Sequence, residues 1–295
     1  MSHPTIHILD LHFYHEHTIA SFLVQHQEGW LLVESGPHSV FSQLEKGLAK
    51  HGLKASDITD VLLTHIHFDH AGAAWALAEA GARIHVHPVG LPHMASPERL
   101  YSSAARIYGD KMEELWGLMK PIAEERLVST AHEAKLSIGG LDIVAHHTPG
   151  HASHHIAWQL GDIVFTGDVA GCRIEGGPVV PPCPPPDINI EAWKDSISLL
   201  KKLKPSALYL THYGPVTDIE KHFGQLEEML DDWAGWIKLH MEKGLDAGAM
   251  TPLFRVYAEE QLRALGADQH MVDQYEAANP AWMSVAGLMR YWKKK

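Results

Sequence analysis

Residues 64–72, Thr64-His65-Ile66-His67-Phe68-Asp69-His70-Ala71-Gly72, combine three histidines and one aspartate in a short stretch. The apolar run 58–64 predicts a buried strand before it, and the alanine-rich run 71–80 predicts a helix after it. Side chains at positions i and i+2 of an extended segment point the same way, so His65 and His67 can bind one metal ion. Asp69 and His70 lie beyond the bend and are free to turn toward a second ion.

Three downstream segments also place a polar side chain directly after a predicted strand. They are Thr148-Pro149-Gly150-His151, Phe165-Thr166-Gly167-Asp168 and Leu210-Thr211-His212-Tyr213-Gly214. Rigid strand ends can hold such side chains in convergent positions around a metal ion. Five imidazoles and two carboxylates without a thiolate suit zinc, and also iron or manganese, by ligand softness.

The order His-x-His-x-Asp-His, Thr-Pro-Gly-His, Thr-Gly-Asp and Thr-His resembles the metallo-β-lactamase-fold superfamily over about residues 5–215. The resemblance implies an α+β fold, a four-layer αβ/βα sandwich in which two mixed sheets pack face to face with helices outside. It also implies a dinuclear site: His65, His67 and His151 would hold the first metal ion, Asp69, His70 and His212 the second, and Asp168 would bridge both. In addition, His155 occupies a position where superfamily members often carry a histidine that orients a ligand.

The ligand set predicts hydrolytic chemistry. Two cations roughly 3.5–4 Å apart share a water molecule and lower its pKa toward about 7, which generates a hydroxide nucleophile. Asp69 is expected to orient that hydroxide and move its proton, so it is the catalytic candidate. We therefore expect a dinuclear metallo-hydrolase, with two divalent ions, zinc first, that acts on a small-molecule ester, thioester or lactone.

Composition favours a cytoplasmic enzyme. The chain has 295 residues, of which 45% are hydrophobic, and no apolar run approaches the roughly 18 residues of a membrane span. The N-terminal residues do not form an export signal, and Cys172 and Cys183 cannot build a disulfide framework. A net charge of −12 disfavours nucleic acid as a partner. We expect a small-molecule substrate and neither a nucleic-acid nor a membrane partner.

A helical insert is expected at about residues 88–126 of a catalytic domain that spans 1–215. Within it, 98–120 predicts one helix. The segment 176–186 contains six prolines and predicts a stiff, extended loop. We expect the insert and this proline-rich loop to form opposing walls of the substrate cleft. Candidates for its lining are Tyr101, Tyr108, Trp116 and Met119, with Arg106 or Arg173 to hold a substrate anion.

Residues 216–295 are expected to form a C-terminal helical extension packed on the catalytic domain. Thr217 and Glu220 predict a capping box, and Thr251-Pro252 predicts the start of a further helix. The aromatic helices of this extension are expected to cover the core or to form a homodimer interface.

Several branches of the superfamily are less compatible with the sequence. Metallo-β-lactamases proper generally lack the bridging aspartate, so Asp168 argues against antibiotic hydrolysis. Lactonases of the superfamily often carry a tyrosine three residues after that aspartate, where this chain has Gly171, and the basic residues of the glyoxalase II branch have no clear counterpart. The chain best resembles a hydrolase branch marked by His87-Pro88 and by the Pro-Pro-Pro-Asp segment 184–187.

Two alternatives remain open. A persulfide dioxygenase uses one iron ion held by two histidines and one aspartate, and it retains a similar His-x-His-x-Asp-His sequence. The segment Asp168–Arg173 lacks the Arg-Gly-Cys-Gly-Arg pattern typical of that branch. A non-catalytic binding module is the third interpretation, and the complete ligand set argues against it.

Overall fold

The computed structural model describes residues 4–295, which fold into two six-stranded sheets with helices on their outer faces. The first sheet has the strand order β1 to β6. Its strands are β1 (Ile6–Asp10), β2 (Ala20–His26), β3 (Gly29–Val33), β4 (Ile58–Leu62), β5 (Arg83–Val86) and β6 (Leu127–Ser129). Strands β1 to β3 are antiparallel to their neighbours and β3 to β6 are parallel, so the sheet is mixed.

The second sheet contains the remaining strands in the reverse spatial order, from β12 to β7. They are β7 (Lys135–Ile138), β8 (Leu141–His147), β9 (Ile156–Leu160), β10 (Ile163–Phe165), β11 (Ala207–Leu210) and β12 (Gly214–Val216). Only the pairing of β10 with β11 is parallel, so this sheet is also mixed.

The two sheets pack against each other through alternate residues of their strands. Phe22 and Val24 of β2 join Trp158 of β9 and Phe165 of β10 in one fully or almost fully buried cluster between the sheets. Leu23 of β2 points the other way and packs beneath the helices. Burial on both faces explains why β2 reads as a nearly continuous apolar run.

Helices cover the outer faces of both sheets and complete the four layers. They are α1 (Phe41–Ala49), α2 (Phe68–Ala71), α3 (Ala74–Glu79), α4 (Leu91–Ala95), α5 (Glu98–Tyr108), α6 (Met112–Trp116), α7 (Ile190–Lys202), α8 (Ile219–Glu242), α9 (Ala247–Ala264), α10 (Gln269–Ala278) and α11 (Ala281–Lys293). Helices α1 to α6 share an apolar cluster with the first sheet, and α7 to α11 share one with the second. No helix among residues 4–295 combines the length and apolar character needed to span a membrane.

The prediction of one helix over 98–120 is wrong. Helix α5 ends at Tyr108 because Gly109 adopts φ +55°, and the short α6 ends at Trp116, where Gly117 adopts φ +67°. Glycine reaches this left-handed region at little cost and therefore ends helices readily. Residues 98–116 thus form two helices with a bend between them, and both helices line the cavity described below.

Two helix starts in the C-terminal extension also differ from prediction. Helix α8 begins at Ile219 after Asp218, whose carboxylate binds Arg173, so Thr217 forms no capping box with Glu220. Helix α9 begins five residues before Pro252, at Ala247, because Asp246 caps it by accepting a hydrogen bond from the backbone N–H of Ala249.

Asp60 on β4 is a buried carboxylate whose partners come from the neighbouring strand β5. His85 Nε2 donates to Asp60 Oδ1 at 2.7 Å, and the Arg83 guanidinium lies 2.9 Å from the same oxygen. Burial alone would raise the pKa of Asp60, but the hydrogen bonds from His85 and Arg83 lower it to about 2. The ionised carboxylate therefore stabilises the folded state.

We predict that Asp60→Asn lowers the free energy of unfolding by about 2 kcal/mol at pH 7. Because the folded-state pKa lies below the unfolded one, this contribution is complete above about pH 4 and fades as the pH falls toward about 2. Urea unfolding at pH 7, 5 and 3.5 should give a difference between wild type and variant that is constant at the two higher values and smaller at the lowest. Asp142→Asn, at an exposed position of β8, is the matched control. An equal difference at all three pH values would contradict the prediction.

Candidate metal centre

The structure brings all seven predicted metal-site side chains together at the ends of strands. The loop after β4 carries His65 and His67, and α2 carries Asp69 and His70. The loops after β8, β10 and β11 carry the others, which are His151, Asp168 and His212. Backbone hydrogen bonds from Ile156 N to Thr64 O and from Ala20 N to Thr211 O join the two sheets at this point. The sheets therefore hold these loops in fixed relative positions.

Three histidines form a first group of potential ligands. His67 Nδ1 lies 2.9 Å from His65 Nε2 and 3.0 Å from His151 Nε2, and the two Nε2 atoms are 3.2 Å apart. A four-coordinate zinc ion with bonds of about 2.0–2.1 Å separates its ligand atoms by roughly 3.3 Å. The spacing of this group therefore fits one ion.

Asp69, His70 and His212 form a second group. Asp69 Oδ2 lies 3.5 Å from the Nε2 atoms of both histidines. Asp168 stands between the groups: its Oδ1 is 3.2 Å from His70 Nε2, and its Oδ2 is 3.4 Å from His151 Nε2. One carboxylate oxygen thus faces each group.

Several buried atoms of the site have no hydrogen-bond partner in the protein. They are Nε2 of His70, Nε2 of His212 and Oδ1 of Asp168. A buried polar atom without a partner costs free energy, and a cation bound among these atoms would remove that cost. The donor set therefore fits divalent metal ions.

The other ring nitrogen of four histidines is fixed by the surrounding protein. His151 Nδ1 lies 2.8 Å from Pro182 O, and His212 Nδ1 lies 2.7 Å from Thr18 O. His65 Nδ1 contacts Thr64 Oγ1 at 3.0 Å, and His70 Nδ1 contacts a carboxylate at 3.1 Å. With the proton on Nδ1, each Nε2 keeps a lone pair for a metal ion, as metal-binding histidines in proteins usually do.

The carboxylate beside His70 is Glu34, which the sequence analysis missed. It is completely buried, and its Oε1 accepts hydrogen bonds from Thr64 Oγ1 at 2.5 Å and from His70 Nδ1 at 3.1 Å. Since Thr64 Oγ1 in turn accepts from His65 Nδ1, Glu34 supports one histidine of each group. A signal was present, because Glu34 directly follows the apolar strand β3 just as the other site residues follow their strands.

His155 contacts the site through its ring. Its Nδ1 bonds to Thr148 Oγ1 at 2.8 Å, and its ring stacks on that of His65 with centroids 5.1 Å apart. It therefore limits the movement of His65 by packing, and it makes no hydrogen bond to any of the seven side chains.

The electrostatic environment favours the metal-binding protonation state at His65 and Asp168 but the protonated form at His70 and His212. Burial, with the neighbouring His70, lowers the pKa of His65 well below its ordinary value. Burial would raise the pKa of Asp168, but the imidazoles of His70 and His151 lower it well below that of a free carboxyl. Neutral imidazole and ionised carboxylate are the ligand forms. Burial would lower the pKa of His70 and of His212, but the carboxylates of Asp168 and Asp69 raise both values, so these two imidazoles must release a proton when a metal ion binds.

A cavity of about 870 Å³ leads to these side chains. The helical insert and the proline-rich loop both line it, with Tyr108 and Trp116 on one side and Pro182 to Asp187 on another. The segment Glu276–Met283 supplies a third wall, which the sequence analysis did not predict. Tyr101 and Met119 do not line the cavity but pack against the apolar cluster that α1 to α6 share with the first sheet, and Arg173 binds Asp218.

The C-terminal helices hold the proline-rich loop in place. Asn279 Nδ2 donates to Pro181 O at 3.1 Å, and Arg290 Nε donates to Pro186 O at 3.1 Å. Gly287 of α11 packs so closely on this loop that a Cβ there would lie 1.9 Å from the carbonyl oxygen of Cys183. Because Pro182 O contacts His151, the C-terminal helices support the first group of histidines through the loop.

Comparisons with known proteins show the family of the chain. A family model described as the metallo-beta-lactamase superfamily matches residues 16–212. A metallo-beta-lactamase fold-containing protein of Sulfurisphaera tokodaii is 29% identical over 212 residues, covering 70% of this chain and 77% of that protein. A hydroxyacylglutathione hydrolase of Pseudomonas savastanoi is 30% identical over 165 residues, covering 52% of this chain and 48% of the hydrolase.

Solved structures share the fold. An archaeal metallo-beta-lactamase superfamily protein from Sulfolobus tokodaii superposes with a TM-score of 0.62 at 24% identity, over 76% of this chain and 86% of that one. A metallo-beta-lactamase family protein from Thermus thermophilus superposes with a TM-score of 0.67 at 18% identity, over 98% of this chain and 93% of that one. The predicted α+β sandwich with its C-terminal helical extension is confirmed.

We predict that Glu34→Gln weakens zinc binding by about 10–100-fold, because a neutral amide no longer stabilises the proton on His70 Nδ1. Competition with a chromogenic chelator measures the affinity, and circular dichroism checks that the variant folds. Glu79→Gln, at an exposed position that contacts Lys120, should bind zinc as wild type does. Equal affinity of both variants would show that Glu34 has no role at the site.

Proposed function

This chain belongs to the metallo-β-lactamase superfamily, and from that premise we propose that it is a dinuclear metal-dependent hydrolase of a small-molecule ester, thioester or lactone. The observation that carries the proposal is the position of Asp168, with one oxygen toward each group of potential ligands. A shared carboxylate between two such groups is the arrangement expected for a pair of ions that act together.

The proposed ligands follow from the two groups. His65, His67 and His151 hold the first ion, Asp69, His70 and His212 hold the second, and Asp168 bridges them. Zinc is the ion we propose, since imidazole and carboxylate donors without thiolate suit it, and iron and manganese are the alternatives. When bound, the ions supply Lewis acidity that polarises a carbonyl group and lowers the pKa of water.

Asp69 is the residue we propose to move the proton. Its side chain is 19% exposed, against 4% for Asp168, and it lines the cavity through which a substrate enters. A carboxylate at that position can orient the attacking water, accept its proton and deliver it to the leaving oxygen or sulfur. Asp168 is more deeply buried, and we propose that it only bridges the ions.

The similarity to hydroxyacylglutathione hydrolases supports hydrolysis as the reaction class. That similarity covers about half of each chain. We therefore do not propose that the substrate of this chain contains glutathione.

A panel of chromogenic esters, thioesters, lactones and phosphodiesters tests the proposal on protein reconstituted with zinc, manganese or iron. At least one carboxylic ester, thioester or lactone should be hydrolysed, and removal of the metal by a chelator should abolish the activity. Failure to hydrolyse any of these compounds with any of the three metals would overturn the proposal.

Metal content provides a second measurement. We predict about two zinc ions per chain for the wild type and at most one tightly bound ion for Asp168→Asn. The reason is that a neutral amide has only one oxygen and cannot bind a metal ion in each group. Asp60→Asn, a buried aspartate away from the site, should retain both ions. A single iron per chain after anaerobic purification, together with oxygen uptake on a persulfide, would instead support the dioxygenase alternative.

A further inference from the structure

The cavity above the metal centre is walled by aromatic side chains from four separate parts of the chain. Trp116 is at their centre: its ring stacks on Phe13 with centroids 5.6 Å apart and on Phe68 at 6.1 Å, and it meets Tyr108 edge-on at 5.3 Å. Tyr108 also meets Trp282 of α11 at 5.5 Å. All five side chains line the cavity, and together they form what we call the aromatic trough.

The cavity lining contains both apolar and charged side chains. Trp116 and Phe68 of the trough are 6% and 7% exposed. The charged residues Arg99, Lys111 and Glu114 also line the cavity, but all three are exposed. Asp187 and Glu276 line the cavity as well and are half-buried, but Asp187 accepts a hydrogen bond from Ser153 Oγ and Glu276 accepts one from the backbone N–H of Ala281. The aromatic trough is therefore the apolar part of the lining, and the charged side chains lie outside it.

Most polar atoms near the trough already have partners within the protein. Tyr108 Oη donates to Met283 Sδ at 3.6 Å, and Asn279 donates to Pro181 O while its Oδ1 accepts from Ser284 Oγ. Among the described lining residues outside the seven metal-site side chains, the buried polar atoms without a partner are Trp116 Nε1 and His154 Nδ1. A substrate that is polar along its length would thus lose hydrogen bonds to water and regain few.

We propose that the aromatic trough binds an apolar acyl group, so that the enzyme hydrolyses esters or thioesters of hydrophobic carboxylic acids. This inference rests on the proposed function and adds the substrate class. The trough and the metal-site residues His67, Asp69 and His212 line the same cavity, so an acyl chain in the trough leads its carbonyl carbon toward the metal centre. Burial of the acyl chain supplies the binding free energy, because the transfer of apolar groups from water to an apolar surface is favourable.

A series of p-nitrophenyl esters from acetate to decanoate tests the proposal on zinc-loaded protein. Each added methylene that enters the trough should raise kcat/KM about four-fold, the equivalent of about 0.8 kcal/mol. The rise should stop when the chain fills the cavity. A rate that is independent of chain length, or higher turnover of a glutathione thioester than of a decanoyl thioester, would overturn the proposal.

Matched tryptophan variants identify the surface responsible. Trp282→Ala should flatten the dependence of kcat/KM on the length of the acyl chain, with the largest loss for decanoate. Trp236→Ala is the control. Trp236 is also half-buried in the C-terminal extension, but it packs on Phe254 and Tyr257 and does not line the cavity. Equal slopes for the two variants would show that the trough does not bind the acyl chain.

Binding of free carboxylates to metal-free protein separates failure of this proposal from failure of the proposed function. Decanoate should quench tryptophan fluorescence at concentrations at least ten-fold lower than hexanoate, and Trp282→Ala should remove most of this difference. If decanoate binds in this way but no ester is hydrolysed, the trough assignment stands and the hydrolase assignment fails. If esters are hydrolysed but decanoate and hexanoate bind alike, the trough assignment fails and the hydrolase assignment stands.

Discussion

Five buried and two half-buried side chains hold neighbouring nitrogen and oxygen lone pairs 2.9–3.5 Å apart, and this crowding is the constraint on which the rest of the structure depends. Like partial charges repel at such distances, and polar atoms without partners are costly inside a protein. Two packed sheets, joined by hydrogen bonds at the strand ends, keep the lone pairs facing each other. Cations are the ligands that turn this repulsion into attraction, so metal binding and folding free energy are coupled.

The two groups of ligands share Glu34 but otherwise receive their support from different parts of the fold. On the first-sheet side, Glu34 after β3 and the carbonyl of Thr18 before β2 fix His70 and His212. On the other side, the carbonyl of Pro182 fixes His151, and that carbonyl belongs to a loop held by α10 and α11. Pro182 and Asn279 also line the cavity, so residues that shape the cavity help to position a ligand.

Short-range patterns in the sequence were sufficient to single out the seven side chains that the structure brings together, and the family resemblance assigned them to two groups. Each of the seven residues follows an apolar run with a glycine or proline nearby, and the covalent chain alone fixes that relation. The features that the sequence did not predict depend on contacts between residues far apart in the chain. Nothing near Trp282 indicates that it meets Tyr108, and the break after α5 depends on the conformation of Gly109, which could as well have been tolerated within a longer helix. Glu34 was overlooked because its motif contributes a supporting carboxylate and no histidine.

The close approach of Gly287 to the carbonyl of Cys183 has a consequence for biosynthesis. All seven proposed ligands are synthesised before α11. In the nascent chain they are therefore present while the proline-rich loop still lacks its contact with Gly287. Since His151 Nδ1 contacts the Pro182 carbonyl of that loop, His151 is the ligand whose final position depends on a helix synthesised after all seven.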